Sequence, residues 1–425
     1  GTLWALASLR MGVAELAVGL CEEAQGKVGR FSAREISNTL WSLAVIKSHD
    51  HRLLDALLDE VSLRVHDFKP QHLANGMWAI AVMKAHSCRD LGAFCTAATA
   101  KVHEFRAQDF SNVYWACATL KAFPKDLVFG LSAEAASKLE SFNPQEVANT
   151  IWSVATMKLE CPDLLIALCP AVHRRTRLFK MQELVNVFWG LATLKTDDEE
   201  LLSAICKACE SRIKDFNARG ISNALWALAT LLIQERSLAP SLCDDAFFRV
   251  REFNSQNLAN SVWALATLPL ENPQLLQSLS TEAEKKIHDH NAQSLANTFW
   301  AMATLAAGRP PLMTALCAAT RLRVCSFTPQ NLTNTLWAMG VLKIADRSTI
   351  ATLCSYVELH ATSFNTKDLA NSLWSAATLK LRSRQFFVPL CEKTRARIQE
   401  FSSTGLVNAS WALATLYAEQ LAPIR

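Results

Sequence analysis

Phe142-Asn143-Pro144-Gln145-Glu146-Val147-Ala148-Asn149-Thr150-Ile151-Trp152 is the stretch that decides the fold. The side chain of Asn143 can accept a hydrogen bond from the unpaired N–H groups of a helix start. Pro144 fits the first helical position, where a missing N–H costs nothing. Glu146, three residues after Asn143, can reach back to the Asn143 N–H and close a capping box. Ser32 with Glu35 shows the same signal. The stretch therefore opens a helix, which runs about four turns past the Trp.

The Trp belongs to a ladder. All 12 Trp fall on it, at positions 4, 41, 78, 115, 152, 189, 226, 263, 300, 337, 374 and 411, with every step 37 residues. Counting from each Trp, position −3 is Asn from Asn38 to Asn408, and position −10 is Phe from Phe31 to Phe401, with His290 as the exception. Between one such helix (helix B) and the next lies a second (helix A), often opened by Pro124, Pro162 or the pair Asp197 and Asp198. In the second repeat helix A carries Leu53, Leu54, Leu57, Leu58, Val61 and Val65, spaced for one buried face. Two helices in 37 residues cannot bury their apolar faces alone, but stacked copies can. The expectation is an all-α, right-handed α-solenoid of about 11 helix-pair repeats, filling residues 1–425 as one domain with partial repeats at both ends. The chain opens in mid-repeat at Trp4 without a recognisable capping repeat, so flanking sequence is expected.

Composition excludes more than it identifies. Half the residues are hydrophobic and the net charge is only +4, so the placement of charge must identify any polyanion partner. The 13 Cys have no paired metal spacing, and their odd number argues for a reducing compartment. Eight of them (Cys21, Cys95, Cys169, Cys206, Cys243, Cys317, Cys354 and Cys391) share position −20 and so occupy successive layers, as small core residues rather than ligands. The uncharged run around Asn254 to Leu270 holds Asn and Gln and recurs in every repeat, so no membrane span is expected. No phosphate loop, dinucleotide loop, HExxH or GxSxG motif is present. No enzyme activity, cofactor, metal or small-molecule substrate is expected.

On a helical wheel for helix B, positions −5, −1 and +2 are apolar and face helix A, and −4 and +3 are small enough for a neighbouring helix to approach closely. Positions −7, +4, −3, +1 and −6 form an uncharged, amide-rich arc that suits a groove lining. At −7 stand Gln71, Gln108, Gln145, Gln182, Gln256, Gln293 and Gln330; at −3 stand Asn75, Asn112, Asn149, Asn186, Asn223, Asn260, Asn297, Asn334 and Asn371. Such amides offer donors and acceptors suited to base edges or to a peptide backbone, and are the candidate contacts to the bases of a single-stranded nucleic acid. The Asn column reads first as a buried brace bonding the adjacent helix or loop, and otherwise as a ladder of amides touching a ligand. The variable column at −6, from Glu35 and His72 to Asp368 and Gly405, reads either as a one-unit-per-repeat code or as an ordinary first helical turn. The Trp column reads as a seam between repeats or as stacking platforms for bases, and the Phe column as a hydrophobic staple.

Two columns are basic. Position −14, in the last turn of helix A, holds Lys27, Arg64, Lys101, Lys138, Arg175, Arg212, Arg249, Lys286, Arg323, His360 and Arg397. The ten Lys and Arg are the candidate contacts to RNA phosphates, although acids at −11 such as Asp67, Glu104, Asp215 and Glu252 partly neutralise them. Position +6 holds Arg10, Lys47, Lys84, Lys121, Lys158, Lys195, Lys343 and Lys380, and is lost at Leu232, Pro269 and Ala306. Both columns sit near helix C-termini, where a cation also gains from the dipole.

The stretch from Phe253 to Leu268, with its Leu-Ala-Asn-x-x-Trp-Ala-Leu-Ala centre, resembles the octotricopeptide repeat and its 37-residue relative, the heptatricopeptide repeat. Similar repeats occur in FAST-kinase-like proteins and in a subunit of the mitochondrial RNA-editing substrate-binding complex. The Pro-Pro-Pro-Glu-Trp element of many octotricopeptide repeats is absent, which favours the 37-residue relative. The resemblance spans the chain. It implies sequence-selective binding of single-stranded RNA in a mitochondrion or plastid, in RNA processing, stability or translation, with ribonucleoprotein proteins as further partners. Armadillo repeats also use Asn and Trp ladders, so a scaffold that clamps an extended peptide is the alternative.

Overall fold

The computed structural model describes residues 2–9, 14–48, 50–84, 88–233, 237–381 and 383–421; Arg10 of the basic column lies outside them. Among the described residues every regular element is helical. The protein is an α-solenoid of helix pairs, divided into two compact units, Gly1–Arg212 and Ile213–Arg425.

In the first unit, helices B span Thr2–Leu9, Ala33–Ile46, Pro70–Met83, Ala107–Leu120, Pro144–Met157 and Met181–Thr193. Helices A span Ala14–Gln25, His51–Arg64, Cys88–Ala100, Lys125–Lys138, Pro162–Arg175 and Glu199–Glu210. In the second unit, helices B span Ala218–Thr230, Ser255–Thr267, Ala292–Thr304, Pro329–Val341, Thr366–Thr378 and Ser403–Leu421. The intervening helices A span Leu238–Arg249, Pro273–Lys285, Pro310–Arg323, Arg347–His360 and Arg384–Ala396. Within each unit, helices B pack much more closely on one another than helices A do.

The reason lies in the small residues. Ala and Ser at −4, +1 and +3 are buried between helices B, apart from Ala5, Ala266 and Ala414. Gly190 shows how tight the approach is: a Cβ there would lie 2.6 Å from Ile151 Cγ2 of the preceding layer. Hydroxyls at −4 also bridge layers, with Ser37 donating to the His72 carbonyl at 3.1 Å and Ser222 to that of Asn257 at 3.0 Å.

Each helix A except Pro162–Arg175 is followed by a short 3-10 turn, such as Val65–Asp67 or Val250–Glu252, that carries the chain to the residue at −10. The expected buried face of the second repeat holds from Leu53 to Val61, while Val65 falls in this turn and is only half-buried. Phe68, Phe105, Phe142, Phe179, Phe253 and Phe364 are at most 2% exposed. Helix B then begins as the sequence indicates: Glu146 N–H donates to Asn143 Oδ1 at 2.9 Å, and Asn143 N–H to Glu146 Oε2 at 2.8 Å. The cysteines at −20 are buried or half-buried, and burial pushes the thiols of Cys95 and Cys317 up to about 11.

Candidate nucleic-acid interface

The exposed stripe of helix B is narrower than the wheel suggests. Position +1 is buried from Ser42 to Ala412, because it packs against the neighbouring helix B. What remains accessible is −7, −3, the Trp and +4. The Gln side chains at −7 are all exposed and the Asn side chains at −3 all half-buried. The structure thus brings the two amide columns onto one face, about 6 Å apart along each helix. Asn112 Nδ2 donates to Asn75 Oδ1 at 3.5 Å, so the Asn column also links layers. At +4, Thr193, Thr230, Thr267 and Thr304 donate to the carbonyl of their own Trp at 2.8–2.9 Å, which leaves each hydroxyl oxygen free to accept.

The Trp column is a half-buried ladder of rings. Trp78 and Trp115 lie 6.2 Å apart at 34° in the first unit; in the second, the pairs from Trp226 to Trp411 lie 6.2–6.5 Å apart at 28–37°. Stacked bases rise ~3.4 Å per layer, so a base inserted between two rings would need parallel faces ~6.8 Å apart. The ladder has no such slot. It offers bases ring edges, and serves the fold as the seam between layers.

Apart from Gly220, Ser294 and Gly405, the −6 column proves to be the third residue of the capping box. The backbone N–H of Arg106 donates to Asp109 Oδ2 at 3.0 Å, that of Lys180 to Glu183 Oε2 at 2.8 Å, that of Asn254 to Asn257 Oδ1 at 3.3 Å and that of Lys69 to His72 Nδ1 at 3.3 Å. Glu, Asp, Asn and His vary in type yet each supplies an acceptor to the N–H of the N-cap residue. Burial raises the Asp109, Glu146 and Asp368 carboxyls above their ordinary range, against the pull of these hydrogen bonds.

The −14 cations are engaged within the protein. Arg64 donates to the Phe31 carbonyl of the preceding repeat at 3.0 Å, Lys101 to Phe68 at 2.7 Å, Arg212 to Phe179 at 2.8 Å, Arg249 to Phe216 at 2.6 Å, Lys286 to Phe253 at 2.8 Å and Arg397 to Phe364 at 2.7 Å. Lys138 reaches the Phe105 carbonyl, Arg175 that of Glu140 and Arg323 that of His288. Neighbouring acids add to the anchoring: Arg249 pairs with Asp245 and Glu252, Lys286 with Glu282, and Lys27 with Glu23. The hydrogen bonds that Arg64 donates to Glu60 and Asp67 hold its guanidinium further towards the charged form. Each of these cations therefore caps backbone carbonyls one layer away or neutralises a local acid, a role that the sequence reading did not assign. The signal available for it was the near-complete occupancy of the column.

At +6 the arrangement is different. Lys47, Lys84, Lys121, Lys158, Lys195, Lys343 and Lys380 follow the last turn of helix B in the left-handed conformation, with φ of 51–56°. All are exposed. Among the described residues no group of His, Cys, Asp and Glu could hold a metal ion, and no helix is long and apolar enough to cross a membrane.

No curated protein matches the chain. Among solved structures it is similar to one described as a homology model of the full-length AP-3 complex in an intermediate open conformation. That match has 10% identity and a TM-score of 0.29, covering 98% of this chain and 86% of the other, and carries no argument at that score. The family described as RNA-editing substrate-binding complex 6 protein matches residues 5–273 and, in a second overlapping alignment, residues 177–420. With the repeat architecture already evident, that match over most of the chain shows that the protein belongs to the RNA-editing substrate-binding complex 6 protein family.

Proposed function

We propose that the chain is a sequence-selective single-stranded RNA-binding repeat protein of an organelle, mitochondrial or plastid, acting in RNA processing within a larger RNA–protein assembly. The observation that carries this reading is the polar stripe that recurs along helices B: half-buried Asn at −3, exposed Gln at −7 except at Arg34, Arg219, Lys367 and Thr404, and Thr at +4 from Thr119 to Thr304. Amides and hydroxyls can donate to and accept from base edges, and their repetition at each layer suits a reader of about one nucleotide per repeat. The family name supports RNA-editing substrates as the setting. The protein acts by occupancy rather than by catalysis, with no cofactor. In this reading the −14 column, proposed for phosphates from sequence, contributes chiefly by fixing the register of the layers.

Selection of bound RNAs from a random pool tests the reading. The expected result is enrichment of a short single-stranded motif, with binding that weakens steeply as salt rises. A pool that yields no motif, together with no salt-dependent affinity for RNA, contradicts it. The second reading is an armadillo-like scaffold clamping an extended peptide, favoured by the Asn112–Asn75 amide contact. Binding of a neutral peptide with little salt dependence would select that alternative.

A further inference from the structure

The two basic columns differ in what holds them. Removing a −14 cation would leave backbone carbonyls of the preceding layer without a donor. The +6 lysines of the first unit have no such task. Lys47, Lys84, Lys121, Lys158 and Lys195 are exposed, and their side chains make no ion pair or hydrogen bond among the described residues.

Their backbone sharpens the contrast. Each has φ between 51° and 56°, in the left-handed region that favours glycine. A side chain there is disfavoured, and the attraction of a cation to the helix C-terminus offsets that cost only in part. The turn itself does not require lysine: Leu232 and Ala306 in the second unit adopt it with φ of 54° and 50°. No described glycine occupies positive φ, so the residue best suited to these turns is used at none of them. Five lysines at identical steps, in a strained conformation, without partners and unnecessary for the turn, call for a ligand outside the protein.

Their neighbourhood favours an extended polyanion. In the second unit, Lys343 and Lys380 of successive repeats line one 830 Å³ cleft together with Arg347 and Thr378. These two +6 residues therefore open onto shared solvent space at the C-terminal edge of their helices B, where Glu358 is the acid among the lining cations. The nearest polar groups on the stripe beside Lys121, Lys158 and Lys195 are Thr119, Thr156 and Thr193 at +4, about 3 Å away along the axis, whereas Lys47 and Lys84 follow Val45 and Val82; the Asn at −3 lies about 14 Å away in each repeat.

We propose that Lys47, Lys84, Lys121, Lys158 and Lys195 form the row that holds the phosphates of single-stranded RNA, one per repeat. This rests on the RNA-binding reading above. Replacement by glycine is the informative change, because it removes the charge and suits the backbone.

The test uses the full chain and oligouridylate. For single strands, the logarithm of the affinity falls with the logarithm of salt at a slope of about 0.7 per neutralised phosphate. Replacing all five lysines by glycine should therefore reduce that slope by about 3.5 and weaken binding at low salt, with Tm unchanged or raised. A control, Arg52→Gln with Lys125→Gln and Lys207→Gln, removes exposed charges from helices A and should keep the wild-type slope. Unchanged slope and affinity in the glycine variant, while the wild type binds RNA, overturns the assignment of the row but leaves the RNA reading standing. Equal losses per charge in the control also overturn it, since net charge alone would then explain the effect. A wild type that binds no RNA overturns both. A wild type that binds polyglutamate instead, through these lysines, assigns the row to an acidic protein and overturns the RNA assignment.

Discussion

His290 is the rung of the Phe column that is not apolar, and it shows what that position demands. The side chain is 1% exposed, its Nδ1 lies 3.1 Å from the Lys286 carbonyl, and its Nε2 has no partner. Burial holds its pKa below the usual value near 6.5. The unfolded chain therefore binds the proton more readily, and stability falls as pH drops through 6.5 towards the depressed folded value. His290→Phe should restore the staple used in the other repeats and remove the unpaired nitrogen, stabilising the protein by about 1 kcal/mol at pH 7.5. The gain should be larger at pH 5, where the wild type also bears the cost of protonation. Thermal unfolding of both proteins at the two pH values checks this; a gain that is equal or smaller at pH 5 would show that His290 does not titrate as described. The capping-box column teaches a related lesson. His72, Asp109, Glu146 and Asn257 look like a code because their types differ, yet each supplies one acceptor to the same backbone N–H. Local chemistry was legible there, but residue type alone could not separate variation that reads a ligand from variation that leaves a cap intact.

At the scale of the element, the start of helix B was legible because its signals are local: an N-cap residue, proline at the first position and an acceptor three residues on. The ends of the helices were less so. The 3-10 turn after helix A and the left-handed residue after helix B depend on how one layer meets the next, and lysine is not a type that announces positive φ. The carbonyl partner of the Lys and Arg at −14, from Arg64 to Arg397, lies 33 to 35 residues back in the chain, a contact that periodicity can position but not identify. Arg212 is the clearest case, with Nη1 2.8 Å from the Phe179 carbonyl. Arg212→Met keeps much of the stem but strands that carbonyl, so it should cost about 1–3 kcal/mol. Lys121→Gly, at the other basic column, should cost nothing or stabilise. Denaturant unfolding of the two variants separates the columns; a harmless Arg212→Met would mean that the strut is not what fixes −14.

At the scale of the whole molecule, the repeat was legible from the Trp ladder alone, because an unbroken 37-residue step leaves no other architecture that buries both helices of each pair. The functional face was legible only in outline. The amide columns lie together as the wheel indicates, but +1 is lost to packing and the Trp ladder is closed to inserted bases. The layer spacing has its own consequence for an RNA partner. Successive Trp rings lie 6.2–6.5 Å apart, whereas a stacked strand rises ~3.4 Å per nucleotide. A strand that follows the repeats one for one must therefore be unstacked. Polyadenylate, which stacks in solution, should lose its stacking signal in circular dichroism when bound, and retention of the full signal would exclude that register.

The central claim, that this solenoid binds single-stranded RNA through its helix B layer, is tested most directly by equilibrium affinity for uridylate oligomers of increasing length over a range of salt. Affinity should rise with length until the layer is filled and fall steeply with salt, at a slope of about 0.7 for each phosphate held. Affinity that is absent, or that stays flat with both length and salt, would contradict it.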